Sequence, residues 1–194
     1  MENIKKIESV IKKSIEVKTR TLEDKKLLET IDKVVTLIKT AISSENKLLI
    51  AGNGGSAADS QHMAAEFVSK FYFDRVALPA IALTTDTSIL TSISNDYEYS
   101  NIFSRQIEAL GKSGDVFIAI TTSGNSINLI EASKICRNKG IVVVGLTGNN
   151  GGKLKDFCDI CIDIDDDDTP RIQETHLLVE HIICELIELD YRSD

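Results

Sequence analysis

His62 and Glu66 stand four residues apart in the run "AGNGGSAADSQHMAAE", residues 51–66, directly after a glycine-rich turn. On a helix, positions four apart lie one turn above each other and their side chains can meet. An imidazole and a carboxylate in step supply an acid and a base, or two metal donors. Their neighbours are mostly small, as in a pocket wall, although an isolated H-x-x-x-E is more commonly an exposed helical pair. The chain has 3 histidines, and the other two, His176 and His181, fall on the final helical stretch beside Gln173 and Glu180. His176 has the option of pairing with Glu180 at i+4. All the imidazoles are thus confined to two helices.

Three polar segments follow apolar runs: "GNGGS" at 52–56, "SND" at 94–96 and "TTSGNS" at 121–126. In open parallel sheets, ligands bind beyond the carboxyl ends of the strands. Hydroxyls and free N–H groups at a helix N-terminus make a phosphate site without cationic side chains. An ordinary polar turn with a serine N-cap is the alternative for "TTSGNS" alone, but a second such loop at the same edge favours a ligand. Neither loop is a Walker sequence or a dinucleotide fingerprint, so nucleoside triphosphate and NAD readings fall away.

These groups need a scaffold. Helical stripes mark the first third, with Ile4, Ile7, Ile11 and Ile15 in one and Leu27, Ile31, Val34, Ile38 and Ala41 in another. "KLLIAG" reads as a buried strand, followed by a helix from about Ser56 to Phe71. "VALPAIAL" is the next strand, with helical stretches through "DTSILTSISND" and "SNIFSRQIEALG". "DVFIAIT" leads into the helix "SINLIEASKICRNKG", which stops at Gly140, and "IVVVGLTG" and "CDICIDID" complete five strands. Apolar strands separated by helices predict an α/β fold with a parallel sheet covered on both faces. The chain reads as one domain over residues 1–194, a helical segment at 1–45 packed onto an α/β core at 46–194.

The last helix, with Thr169 as N-cap and Pro170 at its first position, is apolar around most of its circumference. Together with the N-terminal helices it needs more cover than five strands offer, which predicts a closed homo-oligomer. The C-x-x-C of Cys158 and Cys161 alternates with isoleucine and aspartate at period two. In a strand, residues three apart face opposite sides and cannot share a metal. The motif is therefore expected to be structural.

A formal net charge of −8 argues against sequence-independent nucleic-acid binding. No apolar run approaches membrane-spanning length, and the N-terminus lacks the apolar stretch of a signal peptide, so a cytoplasmic protein without membrane partners is expected.

Taken together, "GNGGSAADSQHMAAEF", "SND", "TTSGNS" and "RIQETH…EH" resemble the sugar isomerase (SIS) fold, and specifically the phosphoheptose isomerases, over essentially the whole chain. The resemblance implies a three-layer sandwich around a five-stranded parallel sheet and a cytoplasmic homotetramer assembled through the N-terminal helices and the C-terminal helix. It implies isomerisation of sedoheptulose 7-phosphate to D-glycero-D-manno-heptose 7-phosphate, toward heptose for bacterial surface polysaccharides. Substrate contacts carry over to Asn53, Gly54, Gly55, Ser56, Glu66, Asn95, Asp96, Thr121, Thr122, Ser123, Ser126 and Gln173. Thr121 departs from the serine that many members carry there. Glu66 matches the family's base and His181 its acid. One zinc per subunit is implied, held by His62, Glu66, Gln173 and His181.

Aldose–ketose isomerisation moves a proton between adjacent carbons through an enediol, and needs a carboxylate-type base and an acid for the oxygens. A divalent metal can polarise those oxygens. Gln173 and His181 are about 12 Å apart along an ideal helix, so one metal must sit between them or draw on different subunits. Two other readings stay open: a non-enzymatic SIS protein that binds the replication initiator, and an isomerase of another sugar phosphate. The intact Glu66 and His181 favour an enzyme.

Overall fold

A computed structural model of the chain describes residues 1–192. Strands β1 (Leu48–Gly52), β2 (Ala80–Ala82), β3 (Val116–Thr121), β4 (Val142–Thr147) and β5 (Ile160–Asp163) form one parallel sheet in the order β2-β1-β3-β4-β5. Ile50 stands opposite Ile118, and Ile118 opposite Val144. The uninterrupted apolar runs of β1 and β3 are buried end to end, as strands covered on both faces must be. Winding reverses between β1 and β3, with β2 on one side and β4 and β5 on the other. Such a reversal leaves a crevice beyond the carboxyl ends of the two strands. "GNGGS" and "TTSGNS" follow those two strands.

Alternate strand residues feed two apolar layers. Leu48, Ile50, Val116 and Ile118 pack with α2 (Lys25–Ser43), α3 (Gly55–Val68) and α7 (Thr169–Glu188), while Leu49, Ala51, Phe117 and Ala119 pack with α4 (Thr87–Asp96), α5 (Ser104–Leu110) and α6 (Ile127–Lys139). The three-layer α/β sandwich is as expected. Helix α1 (Glu2–Glu23) adds Val17 to the first layer.

Several boundaries differ from the sequence reading. α3 ends at Val68 rather than near Phe71, because the guanidinium of Arg75 donates to the carbonyls of Glu66 and Phe67 and closes the helix. β2 begins only at Ala80, because Pro79 has no N–H for the ladder. The helical stretch expected through residues 86–96 is α4, capped by Asp86 through Ile89 N–H at 2.9 Å, and residues 94–96 form its last turn. The N-cap of α7 is Asp168 and not Thr169, and the helix stops at Glu188 before a 3-10 turn at Leu189–Tyr191.

The last helix, apolar on most sides, has Val179, Ile183 and Ile187 fully buried, while Leu178 and Leu186 stay 36% exposed. The more exposed stripe is that of α1, where Ile4, Ile7, Ile11 and Ile15 are 54–61% exposed. Cys158 and Cys161 also depart from expectation. Because β5 starts at Ile160 and Cys158 closes the 3-10 segment before it, the period-two alternation does not reach Cys158. Both sulfurs lie over one glycine, Gly145 of β4. No helix among the described residues is long and apolar enough to cross a membrane.

Candidate active site

The turn from β1 into α3 depends on two glycines. Gly54 has a left-handed φ of 56°, and a Cβ on Gly55 would overlap the amide of Gln173. Asn53 is fixed by three hydrogen bonds: its Oδ1 accepts from Asn128 Nδ2 at 2.8 Å and from the Tyr99 hydroxyl at 2.9 Å, and its Nδ2 donates to Asn128 Oδ1 at 3.0 Å. Ser56, in the first turn of α3, is buried. Through Asn128 the first turn of α6 thus clamps the loop that opens α3.

The turn from β3 into α6 is anchored from the side of β4. Thr122 carbonyl accepts from Gly148 N–H at 3.0 Å, and Gly124 carbonyl accepts from Leu154 N–H at 2.8 Å. Thr121 Oγ1 and Ser126 Oγ share a hydrogen bond of 3.0 Å, and Ser123 Oγ accepts from Asn125 N–H at 3.2 Å. Ser126 is the N-cap of α6, where the first N–H groups of a helix have no partner within it. Four hydroxyls and a helix N-terminus therefore share one turn, and such a turn can hold a phosphate.

α3 and α7 each follow a strand of the parallel sheet and lie side by side in the same direction. Along this seam Gln173 Nε2 donates to Asp59 Oδ2 at 2.9 Å, and the ring of His181 stands edge-on to His62 with centroids 5.1 Å apart. His62 Nε2 lies 3.0 Å from Glu66 Oε1, and the Phe71 ring is 5.5 Å from His181. His62, Glu66 and His181 therefore gather, whereas Gln173 sits further back, against Asp59 and Gly55. Asn95 and Asp96 are exposed and bonded to each other at 2.8 Å. Their connection to the loops runs through the next turn, where Tyr99 reaches Asn53.

The expected His176–Glu180 pair does not form. His176 Nε2–H donates to Thr147 carbonyl at 2.9 Å and points its ring at β4, while Glu180 lies beside Asp59. Burial drives the His176 pKa down to about 4, so the ring is neutral. Glu180 is 1% exposed and neither carboxylate oxygen has a hydrogen-bond partner in the protein. Burial, then the Asp59 charge, pushes its pKa up to about 8. Burial also raises the Asp59 carboxyl, against the hydrogen bond from Gln173.

Sequence reasoning passed over Asp59, Arg75, Tyr99, Asn128 and Glu188 and gave Glu180 the wrong partner. The placement of Glu180 inside "LLVEHII" was an available signal, since a carboxylate in an apolar helical run is bound for the interior.

Two imidazoles and a carboxylate are donor types that zinc takes. Among the described residues, however, no group of three or more His, Cys, Asp or Glu side chains is arranged to hold a metal. Glu66 is engaged by His62 and Gln173 by Asp59, so the four expected ligands do not form a closed set within one chain.

A SIS domain family profile matches residues 10–148. A phosphoheptose isomerase of Aneurinibacillus thermoaerophilus is 57% identical over 94% of this chain and 92% of its own length. Phosphoheptose isomerase structures from Neisseria gonorrhoeae and Francisella tularensis superpose with TM-scores of 0.89 and 0.93, at 39% and 34% identity. The first covers 95% of this chain and 98% of its own, the second 97% and 100%.

Proposed function

Because the chain belongs to the SIS-domain family, and within it to the phosphoheptose isomerases, we propose that it converts sedoheptulose 7-phosphate to D-glycero-D-manno-heptose 7-phosphate, a step of heptose biosynthesis. The observation that carries this reading is the meeting of His62, Glu66 and His181 on the seam beside two hydroxyl- and glycine-rich loops at the sheet's switch point.

Ser56, Thr121, Thr122, Ser123 and Ser126 hold the phosphate. Asn53, Gly54, Gly55, Asn95, Asp96 and Gln173 contact the sugar. Glu66 takes a proton from C1 of the ketose while His181 gives one to the C2 oxygen, which forms the enediol. Glu66 then returns its proton to C2 and His181 recovers one from the C1 hydroxyl, leaving the aldehyde. Both groups end as they began.

Zinc, held by His62, Glu66, Gln173 and His181, is part of the proposal. When bound it supplies positive charge to the two substrate oxygens. The homotetramer and the cytoplasmic setting are also part of it. The isoleucine stripe of α1 supports assembly, since a row of apolar side chains in water favours association.

The test is to incubate purified protein with sedoheptulose 7-phosphate and look for the aldose heptose phosphate by NMR. Turnover supports the reading. Turnover of a different ketose phosphate alone would move the substrate, and none at all would leave a binding protein.

A further inference from the structure

Gly145 sits inside β4, a strand paired on both sides. Glycine weakens a strand interior and often marks a close approach by another group. Here that group is a pair of thiols. A Cβ at Gly145 would lie 2.6 Å from Cys158 Sγ and 3.6 Å from Cys161 Sγ, so the missing side chain is the seat of both sulfurs. They open onto a cleft of about 520 Å³ between α2 and the β5 edge, whose walls include Leu27, Thr30, Asn150 and Asp163. This cleft is at the opposite edge of the sheet from β2, and none of its lining residues is among those assigned to the isomerase.

We propose that Cys158 and Cys161 form a peroxide-reactive dithiol site, with Cys161 as the attacking sulfur and Cys158 as the resolving one.

The asymmetry follows from their surroundings. Cys161 Sγ lies 3.4 Å from Thr147 Oγ1, and the neighbouring Cys158 thiol and then this hydroxyl lower the Cys161 pKa despite burial. Cys158 Sγ donates to the Leu154 carbonyl at 3.3 Å, and the adjoining Cys161 sulfur and then burial raise the Cys158 thiol. Lys155 and Asp163 face Cys161, but their charges are tied to each other at 2.9 Å. Asp159 and Arg137 act on Cys158, and Asp24 and Lys26 close the cleft from the α2 side. Cys136 and Cys184 are buried, and burial raises both thiols, so they serve as internal controls.

The chemistry balances with hydrogen peroxide as oxidant. The Cys161 thiolate attacks one peroxide oxygen, the O–O bond breaks, and the other oxygen leaves as water after taking a proton. Cys161 is now a sulfenic acid. Cys158 attacks that sulfur, the S–S bond forms, and the S–O bond breaks with loss of a second water carrying the thiol proton. Two thiols have given two electrons to the peroxide. A dithiol reductant reverses the step.

The full-length protein is treated with hydrogen peroxide and examined by intact and peptide mass spectrometry. The expected product has lost two hydrogens, carries a link between Cys158 and Cys161, and reverts with dithiothreitol. Cys158→Ser should stop at a sulfenic acid on Cys161 that dimedone traps, and Cys161→Ser should give neither product. In the native protein iodoacetamide should label Cys161 at least tenfold faster than Cys136 or Cys184. Failure of the wild-type protein to form the 158–161 link would overturn the proposal, as would unchanged reactivity in Cys161→Ser. Both readouts are independent of isomerase activity.

Discussion

The seam between α3 and α7 is built differently at its two ends. At the far end Glu188, 1% exposed, accepts the N–H groups of Phe71, Tyr72 and Phe73, and Arg75 Nε lies 3.3 Å from its Oε1. The Arg75 guanidinium also donates to the carbonyls of Glu66, Phe67, Ser69 and Val76. Toward the near end Glu180 has no hydrogen-bond partner, His176 Nδ1 has none, and His62, Glu66 and His181 keep part of their surface exposed. The buried Glu188 carboxylate, with three N–H groups and an opposite charge beside it, fixes structure even though Arg75 Nε itself makes no hydrogen bond, because leaving the charge unanswered costs several kcal/mol. The proposed chemistry is placed at the other end of the same helix pair, among polar groups left over there.

The largest test of this contrast is Glu66→Gln, which keeps size and much of the hydrogen bonding but removes the base. It should lower kcat by about 10²–10⁴, the usual weight of a positioned acid–base group, with the fold unchanged by circular dichroism, and His181→Gln should act likewise. At the answered end, Glu188→Ala leaves Arg75 buried without its carboxylate. Urea unfolding should then show a loss of about 3–5 kcal/mol, with wild-type kinetics in whatever fraction stays folded.

Glu180→Gln probes the unanswered end through pH. The Glu180 pKa rises from 4.5 to about 8 on folding, so folding retains a proton there. That contribution is complete below pH 4.5 and is lost as pH rises through about 8. The variant should lack this decline, so its Tm should exceed the wild type's increasingly across that window, and parallel Tm curves would refute the raised pKa. Smallest are Ser123→Ala and Ser126→Ala. Each should raise KM by the loss of one hydrogen bond to a charged group, roughly 1.5–3 kcal/mol, and unchanged KM in both would move the phosphate elsewhere.

The first four strands and their loops were legible because each apolar run ends in glycine or hydroxyl residues, and Gly140 stops α6 with a left-handed φ of 69°. His62 and Glu66 were legible because a helix enforces their spacing. The strand order was not, since nothing local says that β3 lies beside β1. Tertiary contacts also decided the misses. Arg75 ends α3 from nine residues beyond Glu66, and His176 chose a carbonyl of β4 over the helical neighbour that spacing offered. The C-x-x-C was misread because period two was extended two residues ahead of where β5 begins.

The two loops assigned to the ligand contain no lysine or arginine, in a chain of net charge −8. A sugar phosphate dianion is thus repelled at a distance and held only within hydrogen-bond range. Screening shortens the reach of that repulsion to about 10 Å at 0.1 M salt and leaves the short bonds nearly untouched. Capture should therefore quicken as ionic strength rises, the reverse of enzymes that draw anions in with a positive funnel, and stopped-flow association at increasing salt would reveal which regime applies.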